Sequence, residues 1–368
     1  MRKILYVTNI SRTVNTFFIP HMNALIKQGY KVDCACRISG EHELNSEKID
    51  EKINFYDVPF TRDPISYKNL IAFYKLYKIQ KKEKYDAIHV HTPIASFYTR
   101  LLKIFFKDIK MIYTAHGYHF YKGSSKLSWL VFYNVEKLLS KYTDLLITIN
   151  EEDYNNSKQF KCRSLIKMNG VGVDFSEFKT LSQIEKIKIR ERLGFKKEDF
   201  ILIMVGEHNK NKNQIQLIKA MQKIQKEYKH IKAIFIGDGE LLEENKKYIK
   251  ENKINNCIIL GFRIDVNELI NMSDVLVSMS FREGLPKNII EGLALEKPII
   301  ATNIRGNNEL VKNGKNGYLV KLNNVEDIKK AILELNENNK YIEFSKNSLK
   351  MSKKYEMKKI IEELLEIY

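Results

Sequence analysis

The feature that most restricts this chain is a recurrence. Short runs of consecutive apolar residues are each closed by glycine, histidine or polar residues, and each is followed by a stretch of helical periodicity. In the first half these runs occupy residues 3–7, 31–35, 53–60, 87–91, 111–115 and 145–149; in the second, 200–205, 231–236, 257–260, 275–279 and 298–301. Runs without polar alternation belong to strands covered on both faces, as in a parallel sheet between helical layers. The order strand, loop, helix, strand defines doubly wound α/β units, whose ligands gather at the carboxyl ends of the strands. Two such series in 368 residues exceed one ordinary core. The expected division is 1–174 for a first domain, 175–199 for a linker, 200–340 for a second domain and 341–368 for a terminal helical segment.

Composition narrows the setting. No run of 18 apolar residues exists, so no membrane-spanning helix is expected. The start MRKILYVTN has a basic residue and a short apolar run without a small-residue cleavage site, and reads as a first strand. Cys34, Cys36, Cys162 and Cys257 form no C-x2-C pair and no zinc spacing, which suits core thiols in a reducing compartment and a cytoplasmic protein.

The net charge is +17, made of 62 Lys/Arg against 45 Asp/Glu. Residues 1–174 hold 27 and 17 of these, leaving 35 and 28, so the halves carry +10 and +7. No helix-turn-helix, RNP-type or finger motif accompanies the charge, and no nucleic-acid partner is expected. Two basic segments rich in apolar residues, 66–84 and 97–110, read as helices on the sheet; lysines beside exposed aromatics would also let the domain lie on an anionic leaflet.

The strand-end loops hold the candidate chemistry. In SFREGLPKNIIEGLALEKPIIATNIRG, residues 280–306, a helix entered at Pro286 buries Ile289, Ile290, Leu293 and Ala294, leaving Lys287, Asn288 and Glu291 on the other side. Glu283 and Glu291 then flank free helix N–H groups of Lys287, Asn288 and Ile289, which with the helix dipole form an anion site. That combination suits a sugar nucleotide, with hydroxyls at both ends and diphosphate between. Residues 206–213, with Gly206, Lys210 and Lys212, end at another helix N-terminus and offer a second place for phosphate charge. The strand-end turns at 237–240 and at 261–263, the latter with Phe262 and Arg263, both suit backbone contact with a base. In the first half the loop 8–15, with Asn9, Arg12 and Asn15, and the strand-end histidines His91, His116 and His119 are placed to touch substrate. No acidic ligand recurs near these histidines, so no metal is expected.

The stretch from Arg282 through Gly306 to Glu309 resembles the signature of retaining family 4 glycosyltransferases of the GT-B fold, in the bacterial capsular and exopolysaccharide branch. The resemblance implies two facing Rossmann-like domains, acceptor in the first and nucleotide sugar in the second. It implies that Glu283 contacts the donor sugar and Glu291 the ribose. His116-Gly117 with His119-Phe120 resembles a segment whose first histidine approaches the donor sugar.

The family's Gly-Arg pair plus Lys on the diphosphate maps to Gly206 and Lys212, with Glu207 in the arginine slot, so Lys212, Lys210 and the Pro286 helix must carry the charge. The nucleobase turn maps to Phe262 and Arg263. A Gly pair often found at the first loop is missing, which assigns Asn9, Arg12 and Asn15, with His91 and His119, to the acceptor. Glu296 stands where the family usually has Gly.

The implied activity is retaining transfer of a hexose or N-acetylhexosamine from a nucleotide diphosphate sugar, with UDP expected, to a sugar or polyprenyl-diphosphate-linked sugar in surface polysaccharide synthesis. It needs no metal or other cofactor, and it places the protein at the inner face of the plasma membrane. The competing readings are a GT-B sugar-nucleotide epimerase, which needs no acceptor, and a non-catalytic basic nucleotide- or nucleic-acid-binding module, whose binding would fall steeply with salt.

Overall fold

A computed structural model describes residues 2–38, 44–337 and 340–368. The chain divides into two compact units, the first made of Met1–Gly172 with Lys358–Tyr368, the second of Val173–Met357.

The first unit is built on a seven-stranded sheet: β1 (Lys3–Ile10), β2 (Lys31–Arg37), β3 (Asn54–Asp57), β4 (Ala87–His91), β5 (Lys110–Ala115), β6 (Leu145–Thr148) and β7 (Ser164–Lys167). Their order is β3-β2-β1-β4-β5-β6-β7, and every pairing is parallel. Alternate residues of β1 feed opposite faces: Leu5 and Val7 enter one buried cluster, Ile4 and Tyr6 another. This is why the strand shows no polar alternation in sequence. The chain order reverses between β1 and β4, and ligands of doubly wound sheets collect beside such a switch.

The second unit repeats the plan with six parallel strands: β8 (Phe200–Val205), β9 (Ile231–Ile236), β10 (Cys257–Gly261), β11 (Val275–Ser278), β12 (Ile299–Thr302) and β13 (Gly317–Val320). Their order is β10-β9-β8-β11-β12-β13. The switch here lies between β8 and β11, so the loops that follow these two strands, 206–213 and 279–286, lie side by side.

Several expectations change. The chain has no loop over 8–15: β1 continues to Ile10 and turns at once into helix at Ser11, with a π-helical turn over Val14–Phe18. The strand expected over 53–60 is confined to Asn54–Asp57. The edge strands β7 and β13 carry only four residues each and escape an apolar-run search.

The charged stretch 184–193, expected to be helical within a linker, forms the helix Gln183–Arg192 with a Ser182–Glu185 capping box. Ile189 packs into the second unit's core and Arg190 grips both carboxylate oxygens of Asp274 at 2.9 and 2.8 Å, so this segment belongs to the second unit. The segment that rejoins the first unit begins at Lys358 rather than 341; helix Lys340–Ser352 lies in the second unit. Ile360 and Leu364 then pack with Ile112, Leu145 and Ile147, and the Tyr368 hydroxyl bonds the His89 ring and, at 3.2 Å, the Tyr6 hydroxyl.

Candidate active site

In the second unit the site begins at the last residue of β8. After Val205 the chain passes through Gly206 and winds to Asn213, whose φ of 57° lets the helix Gln214–Ile224 start. Hydrogen bonds across the sheet switch hold this loop: the Phe281 N–H donates to the Asn211 carbonyl at 2.8 Å, and the Asn211 amide donates to the Arg282 carbonyl at 3.0 Å. Behind it, a Cβ at Gly237 would lie 2.2 Å from the Gly206 oxygen, so only glycine permits this approach. The loops at 206–213 and 279–286 are therefore tied into one body.

That body aims Lys212 at Glu283. The lysine methylenes lie over Gly206, and Nζ stands 2.6 Å from Glu283 Oε1, with both side chains mostly covered. Arg305, absent from the sequence reading, donates from Nε to the Glu283 carbonyl at 3.1 Å. Its neighbour Gly306, at φ 81°, presses so closely that a Cβ would lie 2.6 Å from the Gly284 oxygen. The strand-end rule applied to β12 would have pointed to both. Lys210 is exposed and turned elsewhere, lining a cavity of about 310 Å³ with Asn213, Leu241, Glu244 and Phe281.

The helix after this loop, Lys287–Ala294, differs from expectation at three points. Pro286 is the N-cap, extended at ψ 118°, and not the first helical residue. The Asn288 side chain is a strut: it donates to the Val205 carbonyl at 2.9 Å and accepts from the Ile289 N–H at 3.0 Å. One of the three N–H groups expected to be free is thus taken. Glu291 is 9% exposed rather than on a solvated face. Burial raises its pKa to about 7, against the pull of Lys287, whose Nζ is 3.6 Å away. At neutral pH its carboxyl is poised between its two forms, and ligand hydroxyls donating to it would favour the ionised one.

The base turn is less built. Phe262 is 73% exposed, and the Arg263 guanidinium is engaged by the Asp265 carboxylate at 2.8 and 2.5 Å.

In the first unit the strand-end histidines form a stack. His91 Nδ1 and His116 Nε2 share a hydrogen bond of 3.0 Å, the Phe18 ring lies 4.0 Å from that of His91, and His89 Nε2 reaches the Thr114 hydroxyl at 2.7 Å. Burial lowers the pKa of His116 to about 4 and that of His91 well below its usual value, so both are neutral at pH 7 and one donates to the other.

Asn9 serves the scaffold: its side-chain oxygen accepts from the Thr92 hydroxyl at 2.8 Å and from the Ala95 N–H at 3.0 Å, starting the helix Pro93–Arg100. Asn15 accepts from the Asn45 N–H at 3.0 Å, Arg12 is exposed, and the His119 ring lies 5.0 Å from that of Phe132.

Residues 3–150 match the family described as glycosyl transferase 4-like, and residues 185–354 that of glycosyl transferases group 1. The protein named "Putative glycosyltransferase EpsD" of Bacillus subtilis is 34% identical over 375 residues, covering 100% of this chain and 96% of its own. This chain belongs to glycosyltransferase family 4.

An Escherichia coli relative named UDP-Gal:alpha-D-GlcNAc-diphosphoundecaprenol alpha-1,3-galactosyltransferase is 30% identical to this family 4 chain over 336 residues, 88% of it and 84% of the relative. Among solved structures, Anabaena HepE in complex with UDP and glucose superposes with a TM-score of 0.82 at 18% identity, covering 100% of this chain and 99% of that one. That likeness is one of fold, GT-B. No helix among the described residues of this glycosyltransferase is long and apolar enough to cross a membrane.

Proposed function

We propose that this glycosyltransferase transfers a hexose or N-acetylhexosamine, with retention, from a UDP-sugar to a sugar or polyprenyl-diphosphate-linked sugar acceptor in surface polysaccharide synthesis. The observation that carries the reading is the Lys212–Glu283 contact ahead of the helix that holds Glu291. It sets a cation, a helix N-terminus and two carboxylates in the order that a diphosphate between two polyhydroxyl groups requires. The E. coli relative uses UDP-galactose and a diphosphoundecaprenol acceptor by its name, which supports the same classes here. The HepE complexes with UDP and UDP-glucose support the donor class through the shared fold.

In this reading the bond from the anomeric carbon to the diphosphate breaks as the bond to the acceptor oxygen forms, and the acceptor hydroxyl proton passes to an oxygen of the departing diphosphate. Lys212 and the N–H groups of Lys287 and Asn288 meet the charge gathering on the leaving diphosphate. Glu283 and, by family resemblance, His116 hold sugar hydroxyls, and Glu291 holds the ribose. No metal or other cofactor has a part in this reaction.

Incubation with a panel of UDP- and GDP-sugars, with and without a lipid-linked saccharide, tests the proposal. Acceptor-dependent release of UDP and a product whose anomeric configuration matches the donor by NMR are expected. GDP release alone, an inverted product, or sugar isomerisation without acceptor would each refute part of it.

A further inference from the structure

Two neighbouring parallel strands end beside each other in histidine. β4 closes at His91 and β5 at Ala115, and the register that pairs His91 with Thr114 brings His116, just past β5, against the His91 ring. That ring is 2% exposed and clamped by aromatic neighbours. Phe18 stacks on it at 4.0 Å between centroids with planes 28° apart, Tyr6 lies 5.5 Å away at 25°, and His89 lies 4.2 Å away. A ring held in this way keeps its orientation, with Nδ1 at 3.0 Å from His116 Nε2. Its other nitrogen, Nε2, is buried and has no hydrogen-bond partner among the described residues.

One hydrogen must lie between the two facing nitrogens, since both rings are neutral, and it can belong to either. If it belongs to His116 Nε2, His91 carries its own hydrogen on Nε2, where a buried N–H then has no acceptor. If it belongs to His91 Nδ1, the buried Nε2 is a bare lone pair. Orphaned buried N–H groups are the rarer and costlier case, so the second arrangement wins. The charges that bear on the His91 ring are those of His89, His116 and His21, and no carboxylate is among them to favour the first. With its Nε2 occupied as an acceptor, neutral His116 carries hydrogen on Nδ1. His116 is only half-buried, and no protein group among the described residues takes up that Nδ1.

We propose that His91 is a positioning residue: it donates from Nδ1 to His116 Nε2, and so fixes His116 as the Nδ1–H tautomer, a hydrogen-bond donor towards its ligand. The inference rests on the reading in which His116 meets the donor sugar, and it adds the sense of that hydrogen bond. The sugar oxygen facing His116 accepts through a lone pair and keeps its own hydrogen for another partner. A sugar that is deoxy at that position loses the contact outright.

The test is long-range proton–nitrogen correlation NMR on the intact, ligand-free chain labelled with 15N-histidine at neutral pH, which distinguishes a protonated ring nitrogen from a bare one. Difference spectra against His91→Asn and His116→Gln identify the two residues. Both should show hydrogen on Nδ1 and a bare Nε2. His91→Leu, which fills the space without a donor, should return His116 to the Nε2–H form and lower kcat/KM about tenfold. His91→Asn, whose amide N–H stands near the place of Nδ1, should keep the Nδ1–H form of His116 and recover most of the rate. A bare Nδ1 on His116 in the unaltered chain, or an Nδ1–H form that persists in His91→Leu, would overturn the proposal, and the first of these needs no variant to fold. If the tautomers behave as expected while His116→Gln keeps the full transfer rate, the sugar contact of His116 is refuted and the hold of His91 on it stands.

Discussion

Lys212 and Glu283 come from different strand-end loops, 71 residues apart in sequence, and meet at 2.6 Å at the switch point of the second sheet. In the proposed reaction the pair opens: the ammonium turns to the diphosphate and the carboxylate to a sugar hydroxyl. Lys212→Ala should lower kcat/KM about a hundred- to a thousandfold by removing charge stabilisation of the leaving group. Glu283→Gln should fall mainly in kcat. Steady-state kinetics of both variants decide this, and near wild-type rates for either would remove it from the site.

Glu291 makes donor binding depend on pH. The pKa of about 7 means that the carboxylate wanted by ribose hydroxyls is the minority form at pH 6. Donor affinity should rise about tenfold per pH unit up to about pH 7 and then level off. Glu291→Gln should flatten that rise. A wild-type titration curve without a slope below pH 7 would show that the carboxyl is not in contact with the ligand.

The first unit should lose stability in acid. His21 and His116 have pKa values lowered to about 4, and His89 and His91 are lowered too, all by burial first. Depressed histidine values mean stability that is present above the unfolded value of about 6.5 and is lost as pH falls towards 4. For Glu291 the folded value lies above the unfolded 4.5, so its contribution is full below 4.5 and is lost as pH rises through about 7. Hydrogen exchange resolved by unit, at pH 5 and pH 8, should show the first unit weakened at the lower value. Equal protection of the first unit at both would contradict the burial of its histidines.

Glu296 stands where family members usually have glycine, and it adopts φ 60° just past the helix Lys287–Ala294. A side chain in the left-handed region costs energy that glycine does not, and an acid at a helix C-terminus opposes the dipole. Glu296→Gly should stabilise the chain by about 0.5–1 kcal/mol with little change in rate. Chemical denaturation measures this; a loss of stability would mean that Glu296 has a favourable contact outweighing its backbone.

The doubly wound plan was legible because buried parallel strands lack polar alternation, as the runs at 200–205 and 231–236 show. The edge strands β7 and β13 were not, being four residues long and partly exposed. Glu283, Lys212 and Glu291 were singled out from strand-end position and motif, but their contacts depend on how two distant loops lock together. The burial of Glu291 was hidden because a carboxyl on the polar side of a helical stripe reads as solvated. Asn9 and Asn288 read as ligand-facing polar residues and prove to be struts, since a side chain that pairs with backbone in space carries no mark in sequence. Arg305 carries no such mark either, since its bond to the Glu283 carbonyl joins residues 22 apart in sequence.

In the proposed reaction a nucleoside diphosphate seats on the second unit between Lys212 and Glu291. Calorimetric titration of UDP into the intact chain and into Glu291→Ala and Lys212→Ala tests it most directly. One UDP per chain is expected, with affinity reduced about tenfold or more in each variant. UDP bound equally well by all three proteins, or by none, would contradict it.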